Sequence, residues 1–390
     1  MQYEDNTLEI IKKIKTLETS YKNKFLEREQ VLDSIFAALI SGQHLLMVGP
    51  PGTAKSELIH KVSENIEGSH YFSILLTEFT TPQEIFGPYS FHGLKEDKLT
   101  RKIEHFLPSS EIAFVDEIFK ASSAILNTLL TIINERVFYD NGMPIKVPLL
   151  SLFAASNEYP NETDSVAALY DRFLFRFPVG YISSEKVFKE LLLNTFHNFN
   201  LDVDEKLTLQ EIYHLRDLAK KIEISDSLYH SYTLLRKSLY DQNIKLSDRR
   251  YIWALDTLKS FAILAEEQQV TEKMFSNLWP LLWEKESDIP VVQEILEEHV
   301  DITKNQIEKL IKQADSVLSK FNPDMTNSAK MQMVKKMGSV IKELESFNDN
   351  DARKVAESLK EQAKQMINIQ PNINMNENKG VEINVWGDQK

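Results

Sequence analysis

At 390 residues, 42% of them apolar, the chain is long enough for about two or three domains with cores of their own. It contains no cysteine, which excludes disulfides and thiolate metal sites and fits a reducing cytoplasm, and its net charge of −13 argues against a broad electrostatic footprint on DNA or RNA, though not against a local basic pore. No apolar run approaches the ~18 residues that a bilayer span needs, and the acidic start MQYEDN does not resemble a signal peptide, so the expectation is a cytoplasmic protein without a membrane span.

In chain order, Leu8, Ile11, Ile14 and Leu17 recur at helical spacing among Lys and Glu, predicting an amphipathic helix over residues 1–24. A second helix starts near Phe25. A helix at this place commonly borders the adenine in P-loop ATPases, so Leu26 is a candidate rim residue, with plain core packing as the alternative. The stretch that organises the chain follows: HLLMVGPPGTAKS, residues 44–56. Residues 45–48 read as a buried strand, and Leu58, Ile59 and Val62 continue a helix beyond the loop. Between them the loop of Gly49, Pro50, Pro51, Gly52, Thr53 and Ala54 can curl the backbone N–H groups of its non-proline residues around a polyphosphate at a helix N-terminus. Lys55 would reach the β- and γ-phosphates, and the Ser56 hydroxyl would ligate Mg²⁺. Ala54 stands where G-x-x-x-x-G-K-[ST] usually has its second glycine, and a negative φ, tolerable for an L-residue, is expected there.

Residues 71–76 (YFSILL) suit a buried parallel strand, and TTPQEIFGP then implies an inserted loop with a short helix. EIAFVDE is a Walker B signature: an apolar strand delivering two adjacent carboxylates at its C-terminal end, where doubly wound sheets bind ligands. Asp116 would hold Mg²⁺, mainly through water, and Glu117 would orient the attacking water. Leu126, Leu129, Leu130 and Ile133 mark one face of a helix, and Asn141-Gly142 between β-prone flanks marks a hairpin. Residues 149–155 form the next strand and deliver Asn157, either a sensor of the γ-phosphate or the cap of a turn. Residues 173–177 make a fifth strand, so the first domain is an α/β sandwich. Arg172, just before that strand, could reach a neighbouring subunit's ATP or pair with Asp171.

From about residue 184 the pattern is helical: 185–197, 207–220, 226–240, 248–266 and 271–284. Ser247 is a good N-cap with Arg249 and Arg250 in the first turn, where cations oppose the macrodipole; a phosphate facing Arg249 would explain them, as would snorkelling to solvent. Residues 295–367 read as a hairpin of long helices turning at FNPD, residues 370–379 as a flexible Asn-rich segment, and VEINVW as an isolated strand-like end.

Together, GPPGTAKS, AFVDE, AASN, LYDRF and LSDRR resemble the MoxR family of AAA+ ATPases, nearest its RavA branch, over about residues 22–285. The resemblance implies a P-loop AAA+ core with a five-stranded parallel sheet (1–182), an all-α lid (183–290), a C-terminal helical extension (291–368) and a tail (369–390). It implies ATP and Mg²⁺ as cofactors and a homo-hexameric ring in which Gly49 to Ser56 and Glu117 act from one subunit and Arg172 reaches across as the arginine finger. Arg249 becomes the lid sensor candidate, with Arg250 as the alternative. TTPQEIFGP would be the helix-2 insert and residues 137–147 the pre-sensor hairpin, both facing the pore or upper surface, and Ala54 is shared by the branch. Relatives are chaperone-like remodellers of protein clients, often with a von Willebrand A domain protein as partner. The leading expectation is that hydrolysis changes the angle between core and lid and so remodels a bound protein. A nucleic-acid motor and a nucleotide-gated scaffold with little turnover are the other readings. The compact β-rich insertion of RavA-like proteins has no room here.

Overall fold

The computed structural model describes residues 3–95, 99–160, 164–196, 205–300, 302–322, 325–346 and 350–368. The strand-like VEINVW segment and the Asn-rich stretch before it lie outside them. The described chain forms two compact units, one up to Val300 and one from residue 301 on.

The first unit opens with α1 (Asp5–Lys24), whose Ile10, Ile11, Ile14 and Leu17 are buried, and α2 (Glu29–Ser41), apolar on nearly every side because it runs through the interior. Then come β1 (His44–Val48), α3 (Lys55–Glu64), the short β2 (Ile66–Glu67) and β3 (Tyr71–Leu75). The insert carries α4 (Pro82–Phe86), started by a Thr81/Glu84 capping box, and α5 (Phe91–Lys95). After it follow β4 (Ile112–Asp116), α6 (Ser123–Glu135) and the antiparallel hairpin β5 (Val137–Asp140) and β6 (Met143–Lys146). The hairpin turns at Asn141-Gly142, both with positive φ, as the primed turn requires. β7 (Ser151–Ser156), α7 (Asp164–Arg172) and β8 (Phe173–Pro178) complete the core.

Five strands pair in parallel in the order β3-β4-β7-β1-β8. Both faces are covered, and the two-residue period of the strands deals alternate side chains to separate cores. Leu45, Met47, Ile112, Phe114 and Phe153 join the side of α1, α2 and the lid, while Leu46, Val48, Ala113, Val115 and Leu152 join the side of α4 and α6. All five strand tips therefore point the same way. The insert and the hairpin are tied to each other: Phe86 stacks on Phe138 at 5.3 Å, the buried Asp140 accepts from the Arg101 amide at 2.8 Å, and Arg101 lies over the Tyr89 ring.

The lid contains α8 (Glu185–Phe196), β9 (Leu207–Thr208), which pairs with β2, α9 (Leu209–Ala219), α10 (Asp226–Asp241) and α11 (Asp248–Leu264). Thr208, Ser225 and Ser247 cap the last three of these helices. Where the pattern predicts a fifth helix over 271–284, the chain forms a short 3₁₀ turn (Glu272–Leu278) and then irregular backbone, because Pro280 cannot continue a helix and Leu281, Leu282 and Trp283 all turn inward. The next helix, α12 (Ile289–Val300), packs on α10 and on that 3₁₀ turn, so the lid side of the molecule runs to Val300 instead of ending at 290.

Where a hairpin of long helices is expected, the described residues of the second unit form three helices: α13 (Ile302–Leu318), α14 (Asn327–Ser346) and α15 (Asn350–Asn368). Leu310, Met337, Ile341, Leu344, Ala352 and Ala356 form its own core. One helix ends at Ser346 and the next begins at Asn350, a boundary that the expected periodicity passed over.

Candidate nucleotide site

The tip of β1 continues directly into the phosphate-loop sequence. Gly49 must be glycine: a Cβ there would stand 2.0 Å from the carbonyl oxygen of Val179. Gly52 adopts φ +78° with open space around it. The N–H groups of Gly52, Thr53 and Ala54 have no acceptor among the described residues, leaving donors that an anion can fill at the start of the ten-residue α3. Ala54, however, has φ +60°, not the negative value its side chain suggests. The loop needs a left-handed residue immediately before Lys55, and alanine accepts it at a cost of about 1–2 kcal/mol.

Lys55 is buried against the inside of the loop, its Nζ donating to the carbonyls of Gly49 at 2.7 Å and Pro50 at 2.8 Å. Burial lowers the pKa of its ammonium; the carboxylates of Asp116 and Glu117 counter this and Arg28 adds to it. Asp116 ends β4, half-buried, and accepts from the Glu117 amide at 3.0 Å. Burial raises its pKa, as does the charge of Glu117, whereas Lys55 lowers it. Glu117 itself is buried with φ +53°, a conformation uncommon outside glycine and asparagine. Asn157 Nδ2 donates to Glu117 Oε1, and Lys120 Nζ lies 3.3 Å from Glu117 Oε2. The amide of Gly49 donates to Ser156 O at 2.9 Å, which fixes the tip of β7, and with it Asn157, beside the loop. Lys55, Asp116, Glu117 and Asn157 thus gather at one edge of the sheet, as the sequence predicts. Ser56 is exposed at the start of α3. One hydroxyl and one half-buried carboxylate fit Mg²⁺, which takes few protein ligands and completes its octahedron with water and phosphate oxygens.

Leu26 is half-buried in the turn between α1 and α2. Its neighbours turn out to be the informative residues. Glu27 accepts from the Ser183 and Ser184 amides at 2.9 and 3.1 Å, clasping the start of the lid. Arg28 donates to Gly180 O at 2.6 Å, close enough to Lys55 to be felt electrostatically. Sequence reasoning missed Glu27, Arg28 and Lys120, which belong to no motif.

The remaining arginines lie elsewhere. β8 runs parallel to β1 with Phe173 opposite His44 and Pro178 opposite Val48. Arg172 therefore stands at the far end of the five-residue β1 from the phosphate loop, roughly 16 Å away at ~3.3 Å per residue. Arg172 packs beside Trp253, with its ion pair to Asp171 at 3.7 Å and its buried Nε without an acceptor among the described residues. Arg250, wholly buried, donates to the carbonyls of Leu281, Phe173 and Leu174, and burial pulls its pKa down to about 9. Arg249 is exposed over Trp253 with no hydrogen bond or ion pair among the described residues. Of the two, Arg250 is a structural fastener and Arg249 is the one free to meet an anion. Arg172 thus sits away from its own phosphate loop, and Arg249 lies over the same Trp253 ring.

Residues 12–219 match the model for the MoxR domain in the MoxR-vWA-beta-propeller ternary systems, and residues 223–296 match an AAA lid domain. An uncharacterized protein of Methanocaldococcus jannaschii is 34% identical over 337 residues, 86% of this chain and 85% of its own length. A second from that organism is 37% identical over 70% of this chain and 71% of its own. Chaperone MoxR1 of Mycobacterium tuberculosis is 27% identical over 42% of this chain and 44% of its own. A crystal structure of a candidate ATPase from Cytophaga hutchinsonii superposes with a TM-score of 0.61 at 18% identity, over 75% of this chain and 96% of that one, and has the same fold. Among the described residues no helix is long and apolar enough to cross a membrane.

Proposed function

Because the chain belongs to the MoxR family of AAA+ proteins, we propose that it hydrolyses ATP at sites shared between neighbouring copies in a hexameric ring and uses the cycle to remodel a protein client in the cytoplasm. The observation that carries this reading is the split site: Lys55, Asp116, Glu117 and Asn157 converge at one strand edge, while Arg172 stands at the opposite end of β1 and β8 and shares the Trp253 ring with Arg249. A second copy is what would bring Arg172 and Arg249 to the phosphates, beside the chain's own Arg28.

In this reading the free amides of the loop and Lys55 bind the β- and γ-phosphates. Ser56 and Asp116 would hold Mg²⁺, which when bound would neutralise charge on the phosphate oxygens. Glu117, positioned by Asn157 and Lys120, orients and polarises the attacking water, and a neighbour's Arg172 stabilises the charge that develops on the transferring group. Arg249 would act from the same neighbour. The exposed Phe79, Phe91, Tyr139 and Met143 on the insert and hairpin form the surface that would meet a client. The matched description points to a von Willebrand A domain protein as partner, and the chaperone name of the mycobacterial relative supports remodelling.

Phosphate release per chain, followed over a dilution series alongside sedimentation with ATP, tests the shared site. Turnover is expected to fall steeply as the ring dissociates. Turnover that is absent throughout, or constant per chain into the monomer range, would refute the proposal.

A further inference from the structure

Trp253 is named by no nucleotide motif, yet two arginines from different layers meet on it. Arg249 and Trp253 are one turn apart on α11, so helical spacing sets them on the same face, and the Arg249 guanidinium lies 5.6 Å from the ring centroid. Arg172 comes from the end of α7 in the core, and its guanidinium lies 5.9 Å from the same centroid. Around them the charge is poorly matched. Arg249 has no carboxylate among the described residues, Arg172 has only Asp171 at 3.7 Å, and Asp171 also accepts from the Ser247 hydroxyl that caps α11. Two like charges drawn to one indole repel each other. The negative face of the indole offsets part of that repulsion, and a polyphosphate would supply the missing countercharge.

We propose that Trp253 is the positioning residue for both arginines, so that core and lid present one preorganised pair of cations to the nucleotide held by a neighbouring copy. The inference rests on the shared-site reading above. Arginine is long and loses much rotamer freedom when fixed, so a half-buried platform holding two of them before the neighbour arrives removes that cost from the reaction step. Trp253 would then act on turnover more than on ATP capture, because each chain's own phosphate loop is remote from it.

The test compares Trp253→Leu, which keeps apolar bulk but has no ring face, with Trp253→Phe, which restores one. Trp253→Leu is expected to bind ATP and assemble as wild type, with kcat lowered about tenfold and KM little changed, whereas Trp253→Phe recovers most of the loss. Mixing Trp253→Leu with Lys55→Ala under subunit exchange should raise turnover, since the first offers an intact phosphate loop and the second an intact arginine pair. Wild-type turnover by Trp253→Leu, in a background where Arg172→Ala is inactive, would overturn the platform and leave the shared site standing. Equal losses in the Leu and Phe variants together with a lowered Tm would also overturn it, as a packing effect only. Normal turnover by Arg172→Ala would remove the shared site and this inference with it.

Discussion

Glu117→Gln is expected to bind ATP as wild type does while releasing phosphate at least ~100-fold more slowly, the scale expected when a positioned general base is lost. The substitution keeps the shape of the side chain and an oxygen for Asn157 Nδ2, so the strained turn at residue 117 should persist. Lys55→Ala should behave oppositely. Its Nζ is the buried cation of the loop, and losing charge-assisted hydrogen bonds of about 1.5–3 kcal/mol weakens ATP binding by roughly 10- to 150-fold. Equilibrium nucleotide binding and phosphate release on the two purified variants separate the lesions. A Glu117→Gln protein that hydrolyses at the normal rate would remove Glu117 from the reaction.

Arg172→Ala should bind ATP and form rings but hydrolyse about 10³- to 10⁵-fold more slowly, the effect of an arginine finger, equivalent to roughly 4–7 kcal/mol of transition-state stabilisation. The loss is expected to be intermolecular, since Arg172 stands a full strand length from its own phosphate loop. Mixed with Lys55→Ala under subunit exchange, Arg172→Ala should recover part of the activity, because some interfaces then join an intact loop to an intact finger. Each variant titrated into wild type controls for strict coupling around the ring. If Arg172→Ala and wild type show equal turnover per chain at every concentration, the ion pair to Asp171 is the whole role of Arg172.

Much of the core was legible because its signals are local. Apolar runs of four to seven residues marked all five sheet strands to within a residue or two, and Asn141-Gly142 marked the hairpin, since each reflects a steric or burial rule acting over a few residues. The placement of the loop residues and the two carboxylates at strand tips was legible for the same reason. What failed depended on long-range packing. The sign of φ at Ala54 follows from how the loop must enter α3, not from the size of the side chain. The 3₁₀ turn after residue 271 and the docking of α12 follow from where Leu281, Leu282 and Trp283 bury. The choice between Arg249 and Arg250 needed the carbonyls of a distant strand. Arg28 reaches the loop region through Gly180, 152 positions away, and no spacing rule could announce that.

The buried arginines of β8 and α11 bear on how force could travel. Arg176 donates to Trp283 O, Glu284 and Tyr170 O, and Arg250 donates to Leu281, Phe173 and Leu174, so the stretch from Leu281 to Glu284 is riveted to the start of a core strand. Prising that joint open would strand two guanidiniums away from water and leave several carbonyls unpaired, each such acceptor costing about 1–3 kcal/mol. The sequence alone suggested a jaw flexing between core and lid within each chain. A welded joint favours a crankshaft instead, in which core and lid turn together as one piece and the bearing would lie between copies. Distances between probes on α11 and β8 should then stay constant through the nucleotide cycle while probes on adjacent copies move; a lid that swings against its own sheet would show the weld is a hinge.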